Sequence, residues 1–201
     1  MLEHKNTRIL NQYSIHTQRD LLGELRSEIQ RSGIHKIVVL DDDPTGTQTV
    51  ANVPVYTGWD EESIKDIFAN EYLLNFILTN SRAFGEEKTV QVHQEIALNL
   101  KKSAAVTEKK YLLISRADST LRGHYPTETE VLRRELEKDN TICFDGEIIC
   151  PYFAEGGRYT IDNVHYVRYG SELIPAAETE FAKDETFGYH ESDLKKYIHE
   201  K

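Results

Sequence analysis

The sequence predicts an α/β fold: an open, mostly parallel sheet flanked by helices, Rossmann-like and three-layered, with an irregular or hairpin segment near 161–175. Three observations carry that expectation. Short, continuous apolar runs read as strands mostly buried on both faces. Segments with apolar spacing of three and four alternate with those runs, as helices do in parallel α/β sheets. A length of 201 residues, with 39% hydrophobic and 29% charged side chains, is enough for one proper core.

Each element has its own signal in the chain. Over residues 17–32, Leu21, Leu22, Leu25 and Ile29 fall at helical spacing, and Ser32-Gly33 supplies a glycine stop. Strands are expected at 36–40, 53–56, 73–79, 111–115 and 147–150. Helices are expected at 61–69, at 86–102 with Val90, Ile96, Ala97 and Leu100 on one side, and at 127–138 with Val131, Leu132 and Leu136. In the segment 161–175, tyrosines surround a Gly170-Ser171 turn. Ser192-Asp193 caps a last helical pattern, Leu194, Tyr197 and Ile198, that still runs when the sequence reaches Lys201. The chain reads as a single domain over 1–201, with 1–33 as an N-terminal helical extension.

Composition narrows the function classes. No apolar run approaches the roughly 18 residues that span a bilayer, and the first residues lack a signal-peptide core, so a cytoplasmic protein without a membrane partner is expected. A formal net charge of -10 argues against a nucleic-acid partner, because phosphate backbones demand a basic surface. Cys143 and Cys150, beside the expected strand at 147–150, read as reduced core thiols. They form no CxxC or Cys/His cluster, the histidines show no HExxH spacing, and no metal site is expected from either.

Strand exits are where open α/β sheets bind ligands, because loops converge there and helix N-termini point inward. The exit after residue 40 carries Asp41-Asp42-Asp43-Pro44-Thr45-Gly46-Thr47-Gln48-Thr49. Adjacent carboxylates repel and are costly to desolvate, so such a loop calls for a cation or a hydrogen-bonding ligand. Pro44 holds Asp43 extended, and Gly46 permits a sharp turn and close approach to the backbone. The later exits carry Thr79-Asn80-Ser81-Arg82, the run from Ser115 to His124, and the run from Pro151 to Tyr159. Arg82, Arg116, Arg122 and Arg158 suit a carboxylate or phosphate, and the aspartates suit sugar hydroxyls. Asp118 could equally cap a following helix. Neither G-x-x-x-x-G-K-[ST] nor G-x-G-x-x-G is present, so any ATP site would be built mostly by another part of the protein.

Two motif readings compete. Asp41-Asp42-Asp43-Pro44-Thr45 fits D-x-D-x-T, which resembles the haloacid-dehalogenase-type phosphatases, with Asp41 as nucleophile, Asp43 as acid/base and Ser115 as a second motif. Those magnesium-dependent enzymes also need a later lysine and an acidic pair, and the exit after Cys150 offers Pro151-Tyr152-Phe153-Ala154-Glu155 instead. The full set of exits looks like the N-terminal, substrate-binding domain of the four-carbon acid sugar kinase family. That resemblance rests on Asp42-Asp43-Pro44-Thr45-Gly46, Ser81-Arg82, Asp118-Ser119-Thr120-Leu121-Arg122-Gly123, and Pro151 with Gly157-Arg158, in this order. The stretches Thr179 to Asp184 and Phe187-Gly188-Tyr189 are similar to the family's next segment.

The resemblance implies an enzyme that phosphorylates a four-carbon sugar acid such as threonate, erythronate or 3-oxo-tetronate. ATP and Mg2+ would be bound chiefly by a C-terminal nucleotide-binding domain, in cis or in trans, beyond the end of this chain. Alone, the chain would bind substrate and turn it over poorly or not at all. A non-catalytic sugar-acid sensor is the second reading, and a homodimer is left open. In the kinase reading Asp42 and Asp43 hold hydroxyls and one accepts the proton as the phosphoryl group arrives. Arg82 and Arg122, then Arg158, grip the carboxylate. Thr45, Asp118, Ser119 and the backbone at Gly46 and Gly123 complete the polar lining.

Overall fold

The computed structural model describes residues 2–13, 21–47, 50–139 and 142–201. The expected helical start at 17–20 and the loop residues Gln48 and Thr49 lie outside them. The chain forms two compact units. One comprises Asp20–Ala117 and Thr127–Gly146; the other comprises Met1–Arg19, Asp118–Pro126 and Glu147–Lys201. In chain order the elements begin with strand β1 (Lys5–Asn6), helix α1 (Leu21–Ser32), β2 (Ile34–Asp41), β3 (Val55–Tyr56), α2 (Glu61–Ala69) and β4 (Leu74–Leu78). They continue with α3 (Glu86–Thr107), β5 (Lys110–Arg116), α4 (Thr127–Glu137), β6 (Arg158–Ile161), β7 (Val164–Tyr169), β8 (Glu172–Pro175) and α5 (Leu194–Glu200).

The first unit is the expected α/β structure: a parallel sheet of order β3-β4-β2-β5 with helices against it. Val38 and Leu40 from β2 and Ile77 from β4 meet Ile64, Ile67 and Phe68 of α2, Ile96 and Leu100 of α3, and Leu132 and Leu136 of α4. Each helix presents residues three and four apart, and it is this stripe that is buried. Asp60 caps α2 by accepting from the amides of Glu62 and Ser63. The buried Lys36 ammonium is satisfied by the Asn70 carbonyl at 2.6 Å and side chain at 2.9 Å and by the Tyr72 carbonyl at 2.7 Å. Desolvation, then Lys109, lowers its pKa. Gly33 ends α1 with φ +69, as the glycine stop required.

Two expectations fail. No strand forms at 147–150: Ile148 is 94% exposed, and Cys143 and Cys150 are exposed rather than core thiols. The apolar run Ile148-Ile149-Cys150 is short and is closed by Pro151, which has no amide to donate. Burial on both faces also fails for β5, where Leu112 and Ile114 stay exposed. Among the described residues its one strand partner is β2, which puts it at the edge of that sheet.

The second unit holds an antiparallel sheet of order β1-β8-β7-β6. Asp162 and Asn163, both at positive φ, turn β6 into β7. Gly170-Ser171 turns β7 into β8, as expected for the segment 161–175. Leu121, Val167, Ala176, Tyr189, Leu194 and Tyr197 form its core. Asp193 caps α5, accepting from the Lys195 amide at 2.9 Å and the Lys196 amide at 3.3 Å. Among the described residues, no helix is long and apolar enough to cross a membrane.

Candidate functional site

In the parallel-sheet unit, β2 delivers the three aspartates to its carboxyl end, and each takes a different partner. Asp41, 1% exposed, meets Arg116 at 3.2 Å across the β2–β5 ladder. Asp42, 2% exposed, is held by the Arg82 fork, with Nε 2.9 Å from Oδ2 and Nη2 2.6 Å from Oδ1. Asp43, more open, lies 3.4 Å from Arg82 Nη1 and accepts from the Thr45 amide at 2.8 Å and from the Thr45 hydroxyl. Pairing thus offsets the desolvation that three adjacent carboxylates incur.

The charges diverge accordingly. Desolvation pushes the Asp42 carboxyl up to about 6, against the pull of Arg82 and with the help of Glu128 and Asp41. Desolvation also raises Asp41, against Arg116. For Asp43 the same desolvation is outweighed by the Thr45 hydrogen bonds and by Arg82 and Arg116, so its pKa is lowered. Asp43 is therefore the most readily ionised of the three and the partly open acceptor. Gly46 packs against Asp41 so closely that a Cβ there would lie 1.8 Å from Asp41 Oδ2. This glycine is required for contact with the aspartate.

Behind Asp42 lies a buried polar cluster that motif reading missed. The Thr79 hydroxyl donates to Ser81 Oγ at 3.1 Å, and Ser81 Oγ donates to Glu128 Oε1 at 2.6 Å. His93 Nε2 lies 3.7 Å from the same Glu128 oxygen. Ser81 was visible as part of its exit. Glu128 and His93 sit within helical patterns, where nothing in the sequence separates them from surface residues.

The antiparallel-sheet unit gathers Asp118, Ser119, Arg122, Gly123 and Arg158. Asp118 is not a helix cap: its carboxylate accepts from Arg122 Nε at 2.6 Å and from the Thr120 hydroxyl, and α4 begins only at Thr127. Arg122 and Arg158 both meet the Phe181 ring, with their guanidinium carbons 5.2 and 5.4 Å from its centroid. Asp184 stands 4.0 Å from Arg122. Among the described residues Arg158 Nε is buried without a hydrogen-bond partner. Phe181 and Asp184 fall in the stretch Thr179 to Asp184, but their convergence on the arginines needs the tertiary fold. The sequence-named residues thus cluster as Asp42, Asp43, Thr45, Gly46 and Arg82 in one unit and Asp118 to Gly123 with Arg158 in the other.

Comparison with known proteins supplies a family. The model of the sugar-binding N-terminal domain matches residues 37–201. No curated protein matches the sequence. A domain of unknown function (DUF1537) from Bordetella bronchiseptica, solved as a domain-swapped dimer with bound citrate, superposes with a TM-score of 0.58 at 22% identity. That match covers 81% of this chain and 39% of the other. A putative tRNA synthase from Salmonella typhimurium LT2 gives a TM-score of 0.60 at 17% identity, over 83% of this chain and 38% of its own. The chain thus spans well under half of either solved protein, and at these identities the likeness is one of fold. The family match extends over every sequence-named residue from Asp42 to Arg158, and on it the chain belongs to the sugar-binding N-terminal domain family.

Proposed function

We propose that this chain is the substrate-binding part of an ATP-dependent kinase acting on a four-carbon sugar acid of the threonate, erythronate or 3-oxo-tetronate type. The observation that carries this reading is the chemistry of the side chains gathered within each unit. A partly open, ionised Asp43 suits sugar hydroxyls, and two guanidinium groups beside the Phe181 ring suit a carboxylate. The sugar-binding family and the citrate bound by the Bordetella bronchiseptica protein support a small, oxygenated acid.

Asp43 would accept the hydroxyl hydrogen bond and, in the complete enzyme, take the proton as the phosphoryl group arrives. Asp42 is clamped by Arg82 and would hold that arginine and the loop in place. Arg122 and Arg158 would orient the carboxylate, with Asp118 fixing Arg122. Thr45, Gly46, Ser119 and Gly123 would shape the lining. Among the described residues no three His, Cys, Asp or Glu side chains gather to hold a metal, and the aspartates turn to separate partners. ATP and its Mg2+ would be bound by a nucleotide-binding domain in cis or trans, consistent with the fraction of the solved proteins that this chain covers. The domain-swapped Bordetella bronchiseptica dimer supports a homodimer as part of the same reading.

The phosphatase reading gains no such support. An Asp41 nucleophile would need an open line of attack, and this carboxylate is buried against Gly46 and Arg116. Calorimetric titration with a panel of four-carbon sugar acids tests the proposal. One acid should bind saturably, and Asp43→Asn and Arg122→Ala should each weaken it by tenfold or more, about 1.4 kcal/mol. Failure of every acid to bind would refute it, and hydrolysis of a phosphorylated compound with magnesium would restore the phosphatase.

A further inference from the structure

Three consecutive carbonyls of the Asp118 to Gly123 loop are held by three buried side chains of the same unit. The fully buried His165 ring meets the Ser119 carbonyl through Nε2 at 2.7 Å. The Tyr189 hydroxyl donates to the Thr120 carbonyl at 2.8 Å, and the Tyr197 hydroxyl donates to the Leu121 carbonyl at 3.0 Å. A carbonyl only accepts, so His165 carries its hydrogen on Nε2, and Nδ1 accepts from the Thr160 hydroxyl at 3.0 Å. The donors come from β7, from the segment before α5, and from α5 itself. Tyr189 and Tyr197 also brace one another edge to face, with centroids 5.7 Å apart.

This arrangement dictates where the loop amides point. These peptide bonds are trans, and a planar trans peptide sets its N–H opposite its C=O. Drawing in the carbonyls of Ser119, Thr120 and Leu121 therefore turns the amides of Thr120, Leu121 and Arg122 away from the three donors. The Leu121 amide bonds the Asp118 carbonyl at 3.0 Å. Leu121 itself sits at φ +67, a region leucine avoids, so the loop needs outside restraint to keep this shape. The Arg122 amide then follows the Leu121 carbonyl, and Arg122 is more open than Thr120 and Leu121.

We propose that His165, Tyr189 and Tyr197 are positioning residues: by fixing these carbonyls they aim the Arg122 amide, with the Arg122 guanidinium, at the carboxylate of the ligand. The inference rests on the sugar-acid reading and names what sets its anion grip. Burial supports it, raising both phenols well above their usual range and lowering the imidazole, so each donor keeps the required form at neutral pH.

The test compares Tyr189→Phe, Tyr197→Phe, His165→Leu and His165→Gln in the full chain. Amide exchange at Leu121 reports the loop, and calorimetry with sodium erythronate and threonate reports binding. Each phenylalanine variant and His165→Leu should speed Leu121 exchange and raise Kd up to about tenfold, the size of one lost hydrogen bond. His165→Gln keeps a donor for the Ser119 carbonyl and should stay near wild type. Unchanged loop exchange, or faster exchange with an unchanged Kd, overturns the inference. Should wild type bind neither acid, the sugar-acid reading fails, and inorganic phosphate then decides this one. A phosphate-induced shift of the Arg122 amide that vanishes in Tyr197→Phe supports it, and its absence in wild type overturns it.

Discussion

Asp41, Asp42 and Asp43 are neighbours of one type, yet the fold gives them three different environments. Asp42 is the costly one. Its carboxyl keeps a proton up to about 6 in the native state, against an ordinary 3.8. Between those values the native chain binds more protons than the unfolded one, so this group lowers the unfolding free energy as pH rises, and the cost is complete above about 6. A rise of about two units corresponds to about 3 kcal/mol. Asp42→Asn is expected to gain on the wild type by up to that amount between about pH 4 and about pH 7, measured by urea unfolding. Parallel pH profiles would contradict it. His165 works in the opposite direction, because its lowered pKa makes stability fall as pH drops below the ordinary histidine value. At this scale the motif residues were legible, since runs such as Asp-Asp-Asp and Asp-Ser-Thr stand out in any sequence. Which aspartate would be clamped and which left open was not, because that depends on Arg82 arriving from the turn after β4 and Arg116 from β5.

Elements were legible where a pattern was long or punctuated. The 22-residue α3 runs past the expected end, with Ser103 and Ala104 continuing its buried face, and stops at Glu108 at positive φ. Asp193 was readable as a cap, and the structure gives it two amides. Asp193→Ala should cost about 1 kcal/mol of stability. Because α5 carries Tyr197, whose hydroxyl holds the Leu121 carbonyl, the same variant should also speed Leu121 amide exchange. A melting temperature and exchange rate equal to wild type would argue against the cap. The segment 147–150 misled because apolar character alone does not make a strand. A strand needs an edge to pair with, and local sequence does not encode that neighbour.

For the whole molecule, a ligand that binds only the folded state must raise its melting temperature. At about 100 times Kd the gain is about 2.7 kcal/mol, which for a chain of this size is about 5–10 °C. A sugar acid that binds by calorimetry yet leaves the melting temperature unmoved would mean that it does not select the native state. The net charge of -10 means that an anionic ligand must be drawn in by local arginines rather than by the overall field. The sequence by itself determined the α/β class, the strand-exit motifs and the family resemblance, because hydrophobic periodicity and short-range turn chemistry are local properties of the chain. Only the tertiary structure decided that Asp42 is clamped while Asp43 stays open, that Phe181 gathers Arg122 and Arg158, and that His165, Tyr189 and Tyr197 hold one loop. Those contacts join residues tens of positions apart, and their energies exist only once packing has brought the partners together and removed the water between them.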